Sequence, residues 1–302
     1  MKAGIVGGGA VGSLFAAFFH SAEVEFTLYE KDPVLARAMA GGLTVNMPDG
    51  EISFRPDIAS IPAIVAGCDI VFIFVKSYST DDAMRDITPV LKDSTLVVTL
   101  QNGIGNREIV ERHLPAERVV CGSLTIGATR IDATTVSYGG TGSVVIGGSD
   151  PGAVGAVQAL LELAGVPVET QGRPDEVIWR KAVINAAINP IGALLEIPNG
   201  GILESPDALV LQEAVVDECA AVAASRGIAI DARELNEATR DVCRKTAANL
   251  CSMLQDLRAG RRTEIDSING AMARFGREAG IAAPYNEALF RLVRARERLG
   301  RP

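Results

Sequence analysis

The 302-residue chain predicts an α/β half followed by an all-α half, and three observations carry that expectation. Apolar runs of strand length recur through the first half, at residues 3–6, 68–75 and 95–100. From residue 175 onwards strand-like runs stop, and apolar residues fall at helical spacing instead. The stretch 179–190, WRKAVINAAINP, is the most informative helical segment; Ala, Val and Ile fill most of it, and Pro190 marks an expected break or kink. Lys181, Asn185 and Asn189 stand four apart in it and so share one stripe of the helix. A cation and two amides among residues made for burial require polar partners or a polar ligand. Hydrogen bonds to neighbouring helices are the plain structural alternative.

The first strand runs straight into Gly7, Gly8, Gly9, Ala10, Val11 and Gly12, and a small, apolar helical pattern follows from Ser13 to His20. This is G-x-G-x-x-G between a strand and a helix. Gly7 permits the tight turn, Gly9 lets a pyrophosphate approach the backbone, and Gly12 lets the helix pack closely on the sheet. The helix start would face the phosphates with unpaired N–H groups. The α/β half is therefore expected to be a Rossmann-type dinucleotide-binding domain. Its second strand, 24–29, ends in Glu30 and Lys31. Glu30, 18 residues after Gly12, suits a ribose 2′-hydroxyl and would repel a 2′-phosphate, whereas Lys31 would attract one. The two signals conflict.

The buried-type strands 68–75 and 95–100 deliver Lys76 and Asn102 to the same carboxyl edge of the sheet, where open α/β sheets place their ligands. Further strands are expected at 119–127, 134–138 and 143–148, with the last two forming a hairpin over residues 139–142. A helix from Asp150 to Ala164 and a strand at 166–169 follow. Residues 172–174 read as the domain boundary, giving domains 1–172 and 173–302.

In the second half, Ser205 and Pro206 start a helix to about Arg226, and Asp231 caps a long helix through about Leu257 that contains Ser252. Thr263 to Asp266 resembles a capping box, which puts Glu264 in the first turn of the next helix and favours it as an anionic acceptor. A last helix spans about 285–296.

Composition narrows the function. Hydrophobic residues at 48% and charged residues at 22% fit a globular protein with two sizeable cores, and a net charge of −8 argues against a nucleic-acid partner. Five scattered cysteines without a CxxC argue against a structural zinc or a disulfide framework and fit a reducing cytosol. No metal site is expected. The N-terminus does not read as a signal peptide, and no run approaches the roughly 18 apolar residues of a membrane span. With only two histidines, a general acid is sought among Lys, Glu and Asp.

With these residues in view, the chain resembles the ketopantoate reductases (2-dehydropantoate 2-reductases) nearly end to end. The likeness is carried by Gly7 to Gly12, Val75-Lys76, Gln101-Asn102-Gly103, the WRK…N…NP run, Pro198-Asn199-Gly200, and residues 252–270 with their SMLQD, RTEID and ING runs. The resemblance implies NADPH-dependent reduction of 2-dehydropantoate to (R)-pantoate, a cytoplasmic step towards pantothenate and coenzyme A. It implies Lys181 as the general acid and Glu264 beside it, touching cofactor and substrate. It implies Asn185, Asn189, Asn199 and Ser252 as substrate contacts, with Lys76, Asn102 and Ala128 contacting the cofactor and Asn102 also near the substrate. Lys31 stands where members commonly carry an arginine for the 2′-phosphate, and acidic Glu30 precedes it, so NADH is the alternative cofactor. Three readings follow: ketopantoate reductase, a related 2-oxo acid reductase such as a D-2-hydroxyacid dehydrogenase, and a non-catalytic dinucleotide sensor. The active site is expected between the domains. The apolar faces of the second-domain helices would serve a homodimer or the core alone.

Overall fold

Strand β1 (Ala3–Val6) is buried at all four residues, as a central strand covered on both faces must be. The computed structural model describes residues 1–140, 142–172 and 174–300. These divide into two compact units, one comprising 1–101 with 106–174 and the other 102–105 with 175–302. The expected boundary at 172–174 includes Arg173, which lies outside the described residues. Pro174 goes with the first unit, and four residues, Asn102–Gly105, are lent to the second.

In the first unit, β1 is followed by helix α1 (Ala10–Ser21), strand β2 (Phe26–Tyr29) and helix α2 (Pro33–Gly41). Strands β3 (Leu43–Met47), β4 (Gly50–Phe54), β5 (Ile58–Ala59) and β6 (Ile70–Ile73) come next. Helix α3 (Thr80–Ile87), strand β7 (Leu96–Thr99), helix α4 (Asn106–Glu111) and strand β8 (Val119–Leu124) continue the chain. Strands β9 (Ala128–Arg130), β10 (Thr135–Tyr138) and β11 (Val144–Gly148), helix α5 (Pro151–Leu163) and strand β12 (Val168–Thr170) complete the unit.

The main sheet has the order β12-β11-β8-β7-β6-β1-β2-β5. β1 pairs in parallel with β2 on one side and β6 on the other, so the chain winds outwards both ways from β1. The carboxyl end of β1 is thus the switch point at which doubly wound sheets bind ligands. A second sheet, β4-β3-β10-β9, was not anticipated. The alternation of Leu43, Val45 and Met47 before Asp49-Gly50 carried its hairpin signal. Helix α1 touches strands of both sheets. That is why its sequence, AVGSLFAAFFHS, is apolar nearly all round, with Leu14, Phe15, Ala16, Ala17 and Phe19 buried.

The expected hairpin between residues 134–138 and 143–148 does not form. β10 joins the small sheet, where Val136 pairs with Val45 and is buried against the α1 core. β11 instead pairs antiparallel with β8 in the main sheet. Thr141, in the link between them, lies outside the described residues.

The second unit is helical, as expected: α6 (Pro174–Leu195), α7 (Gly201–Glu204), α8 (Pro206–Ser225), α9 (Ala232–Lys245), α10 (Ser252–Arg258), α11 (Asn269–Ala279) and α12 (Pro284–Leu299). It has its own core, built around Trp179, Val183, Val216, Leu254, Met272 and Val293.

Three helix expectations need correction. Pro190 does not end α6, which continues to Leu195. Proline has no N–H for the carbonyl four residues earlier, and here the Asn269 side-chain amide donates to that Ala186 oxygen at 3.0 Å instead. The long helix expected from 231 to 257 is two helices. The carbonyls of Ala247 and Asn249 accept from the backbone N–H groups of Gly200 and Asn199, and Cys251 then caps a new helix beginning at Ser252. Finally, Glu264 precedes α11 rather than opening it. Thr263 bonds Glu297 through both its N–H and its hydroxyl, and residues 264–267 form a turn closed by Ser267 N–H to the Glu264 carbonyl.

Candidate active site

In the first unit the glycine loop is shaped by the demands read from its sequence. Gly7 has φ of +101°, and a Cβ there would stand 2.9 Å from the Val75 backbone nitrogen. A Cβ on Gly12 would fall 2.0 Å from the Gly7 carbonyl oxygen, so α1 can begin here only with glycine. Gly9 differs: its Cβ would meet nothing nearer than the Phe74 carbonyl at 4.0 Å. Bare backbone beside open space at the start of α1, with Gly9 as N-cap and Ala10 and Val11 in the first turn, fits an approaching phosphate. The residues present therefore fit a dinucleotide.

Glu30 and Lys31 follow β2. The Glu30 carboxylate accepts from Gly8 N–H at 2.7 Å and from Asp32 N–H at 3.1 Å, which ties it to the loop. Lys31 is held at 2.8 Å by Asp86 of α3, whose same oxygen accepts from the Tyr29 hydroxyl at 3.1 Å. Burial, and then that bond to Asp86, push the Tyr29 phenol up to about 12. Val6, Gly7, Tyr29, Glu30, Lys31, Val75, Asp82 and Asp86 are among the lining of a cavity of about 250 Å³ at the carboxyl ends of β1 and β2. Lys76 follows β6 and precedes a short 3₁₀ turn, Ser77–Ser79. Gln101 fixes the ends of β6 and β7 together, donating to the Val75 carbonyl at 2.6 Å and to the Thr80 hydroxyl at 2.8 Å.

Ala128 lies on β9, two residues before an arginine that sequence reasoning did not single out. Arg130 donates to the Gly8 carbonyl and to the Ser13 hydroxyl, and to the Ala133 carbonyl at 2.6 Å. It braces the glycine loop from a position 122 residues away. No local spacing could have announced that, nor the Asp86 partner of Lys31, 55 residues distant.

In the second unit, α6 aims its side chains by packing. Trp179 is buried against Phe275 with ring centroids 5.8 Å apart, and Arg180 pairs with Glu234 at 2.6 Å. Lys181 is left to the third direction, where the Glu264 carboxylate acts on it. Burial pushes the Lys181 ammonium down to about 8, while the Glu264 charge opposes that fall. Glu264 is 7% exposed and accepts from the Asn102 side-chain amide at 3.2 Å. Asn102 is fixed by its neighbours: a Cβ on Gly103 would strike Ser267, and Ile104 N–H donates to the Ser267 carbonyl at 2.9 Å. Lys181, Glu264 and Asn102 thus form one cluster.

Asn185 and the buried Asn189 continue along α6, about 6 and 12 Å of rise beyond Lys181. At the far end the Cys251 thiol donates to the Asn189 carbonyl at 3.4 Å, which brings exposed Ser252 beside that turn of α6. Asn199 stands by the same break, donating to the Thr246 hydroxyl at 2.8 Å. The stripe therefore runs from an ionisable pair to a group of amide and hydroxyl side chains, a surface suited to a small, oxygen-rich anion. Among the described residues, no group of three His, Cys, Asp or Glu side chains is placed to hold a metal ion.

A doubly wound sheet with this glycine loop, joined to a helical unit carrying a pKa-lowered lysine, defines an NAD(P)-dependent oxidoreductase. Residues 3–151 match the family described as Ketopantoate reductase PanE/ApbA, and residues 175–297 match its C-terminal domain. The chain belongs to the ketopantoate reductase family. It is 35% identical to the 2-dehydropantoate 2-reductase of Halobacterium salinarum, across 99% of this chain and all of the other. Among solved structures it is similar to a D-mandelate dehydrogenase in ternary complex with NADH and anilino(oxo)acetate (TM-score 0.94, 28% identity). It is also similar to a PanE/ApbA family ketopantoate reductase from Ralstonia eutropha (TM-score 0.90, 30% identity), and both alignments cover 99% of each chain.

Proposed function

We propose that the chain reduces 2-dehydropantoate to (R)-pantoate, with the first unit holding a reduced nicotinamide dinucleotide and the second supplying the proton. The observation that carries this reading is the partly buried Lys181, brought down to about 8 and faced by Glu264. When bound, the dinucleotide supplies the hydride to the ketone carbon. Gly7 to Gly12, braced by Arg130, bind the pyrophosphate, and Glu30, Lys31, Lys76, Asn102 and Ala128 make the remaining cofactor contacts. Lys181 donates its proton to the ketone oxygen as charge develops there, and its ammonium stabilises that charge before transfer. Glu264 keeps the ammonium protonated near neutral pH and aimed. Asn185, Asn189, Asn199 and Ser252 orient the substrate through its carboxylate and hydroxyl groups. Five free, buried cysteines support a reducing, cytoplasmic setting.

A second reading, reduction of another 2-oxo acid, is favoured by the TM-score of 0.94 with the D-mandelate dehydrogenase complex. Turnover of 2-dehydropantoate and of benzoylformate, followed by loss of reduced nicotinamide, separates the two. A kcat/KM at least about tenfold higher for 2-dehydropantoate supports the first, since a pocket shaped to one side chain discriminates by about that factor or more. The reverse order supports the second, and no turnover of either contradicts both.

A further inference from the structure

We propose that the wall beyond β2 selects the dinucleotide lacking a 2′-phosphate, so that NADH is taken in preference to NADPH. This rests on the reading that the glycine loop holds a dinucleotide. Among the described residues, four charged side chains line the cavity at this wall, and three of them, Glu30, Asp82 and Asp86, are acids. Among the described residues Lys31 is the only cation in that lining, and its ammonium already lies 2.8 Å from Asp86. Arg85 pairs with Asp82 at 3.0 Å, but it is not part of the lining and is shared with Asp81.

A 2′-phosphate carries between one and two negative charges near neutral pH. Lys31 is two-thirds exposed, so its pair with Asp86 is weak and breaks at little cost. Swinging it to a phosphate does not help, however, because Asp86 then keeps only the neutral Tyr29 hydroxyl as a donor, and its charge is left uncompensated in the same wall. The sum of charges is unchanged by the move. Glu30 has no such freedom, since its two oxygens are held by the N–H groups of Gly8 and Asp32. It presents acceptors where a ribose hydroxyl can donate and a phosphate cannot. Lys31 alone, read from the sequence, suggests the opposite preference; its partner Asp86, on a different element, reverses it.

The test needs no turnover. ADP-ribose and 2′-phospho-ADP-ribose are titrated calorimetrically into the full chain at low ionic strength. The expected result is ADP-ribose binding at least about tenfold more tightly, with the gap narrowing as salt is added because the discrimination is electrostatic. Asp86→Asn, which releases Lys31, should narrow the gap by about threefold or more at low salt, with a thermal melt to confirm folding. Equal or tighter binding of the 2′-phosphorylated ligand by the unaltered chain overturns the inference and leaves the dinucleotide site standing. Binding of neither ligand overturns both. A tenfold gap that is indifferent to salt overturns the electrostatic basis.

Discussion

At the scale of single residues, the charge of Glu264 acts on the protonation of Lys181. Lys181 is partly buried, and burial favours its neutral form; the carboxylate of Glu264 favours the charged form and only partly offsets this. Reduction needs the protonated amine, so it should hold below about 8 and decline as pH rises through that value. Glu264→Gln keeps an acceptor for Asn102 but removes the opposing charge. The alkaline limb of kcat/KM should then move to lower pH; an unmoved or upward-shifted limb would show that Glu264 does not act on Lys181. The Lys181–Asn185–Asn189 stripe was legible because spacing on one helix is a local property. Arg130 at the glycine loop and Asp86 on Lys31 were not, because each acts across the sheet on a residue far away in sequence. The helix-dipole reason given to Glu264 by its sequence context was wrong, since the turn at 263–268 ends before α11 begins. What makes it an acceptor is the amide of Asn102 and the charge of Lys181.

At the scale of elements, the strongest constraint lies on α6, which crosses a proline without ending. Asn269 replaces the missing backbone donor at Ala186, and its amide also donates to Asn286, which in turn donates to Glu218. This gives the ING run a structural purpose: its asparagine supplies the donor that Pro190 lacks in the helix that carries Lys181, Asn185 and Asn189. Asn269→Ala should lower stability by about 1–3 kcal/mol, the cost of leaving the buried Ala186 carbonyl without its side-chain donor and the Asn286 amide oxygen with only the Cys219 thiol. A denaturant midpoint unchanged within error would contradict this. The glycine loop could be read outright because each glycine has a steric reason that the strand–helix context supplies. The break between α9 and α10 could not. It depends on backbone bonds from residues 199 and 200 to carbonyls at 249 and 247, and the sequence across it is helix-compatible.

At the scale of the whole molecule, an α/β unit and a helical unit were legible from the change in periodicity near residue 175. The small second sheet was missed, and with it the reason α1 is so uniformly apolar. The loan of Asn102–Gly105 to the second unit was hidden too, since those residues follow a first-unit strand. The proposed function divides its residues in the same way: the glycine loop belongs to one unit and Lys181 to the other. The direct test compares the pH dependence of 2-dehydropantoate reduction by the full chain and by its Lys181→Ala variant. The account predicts a fall above about 8 in the first. In the variant it predicts a loss of about 10²–10⁴-fold at neutral pH and no such limb. A variant that retains most of its activity, or that keeps the same alkaline limb, would contradict it.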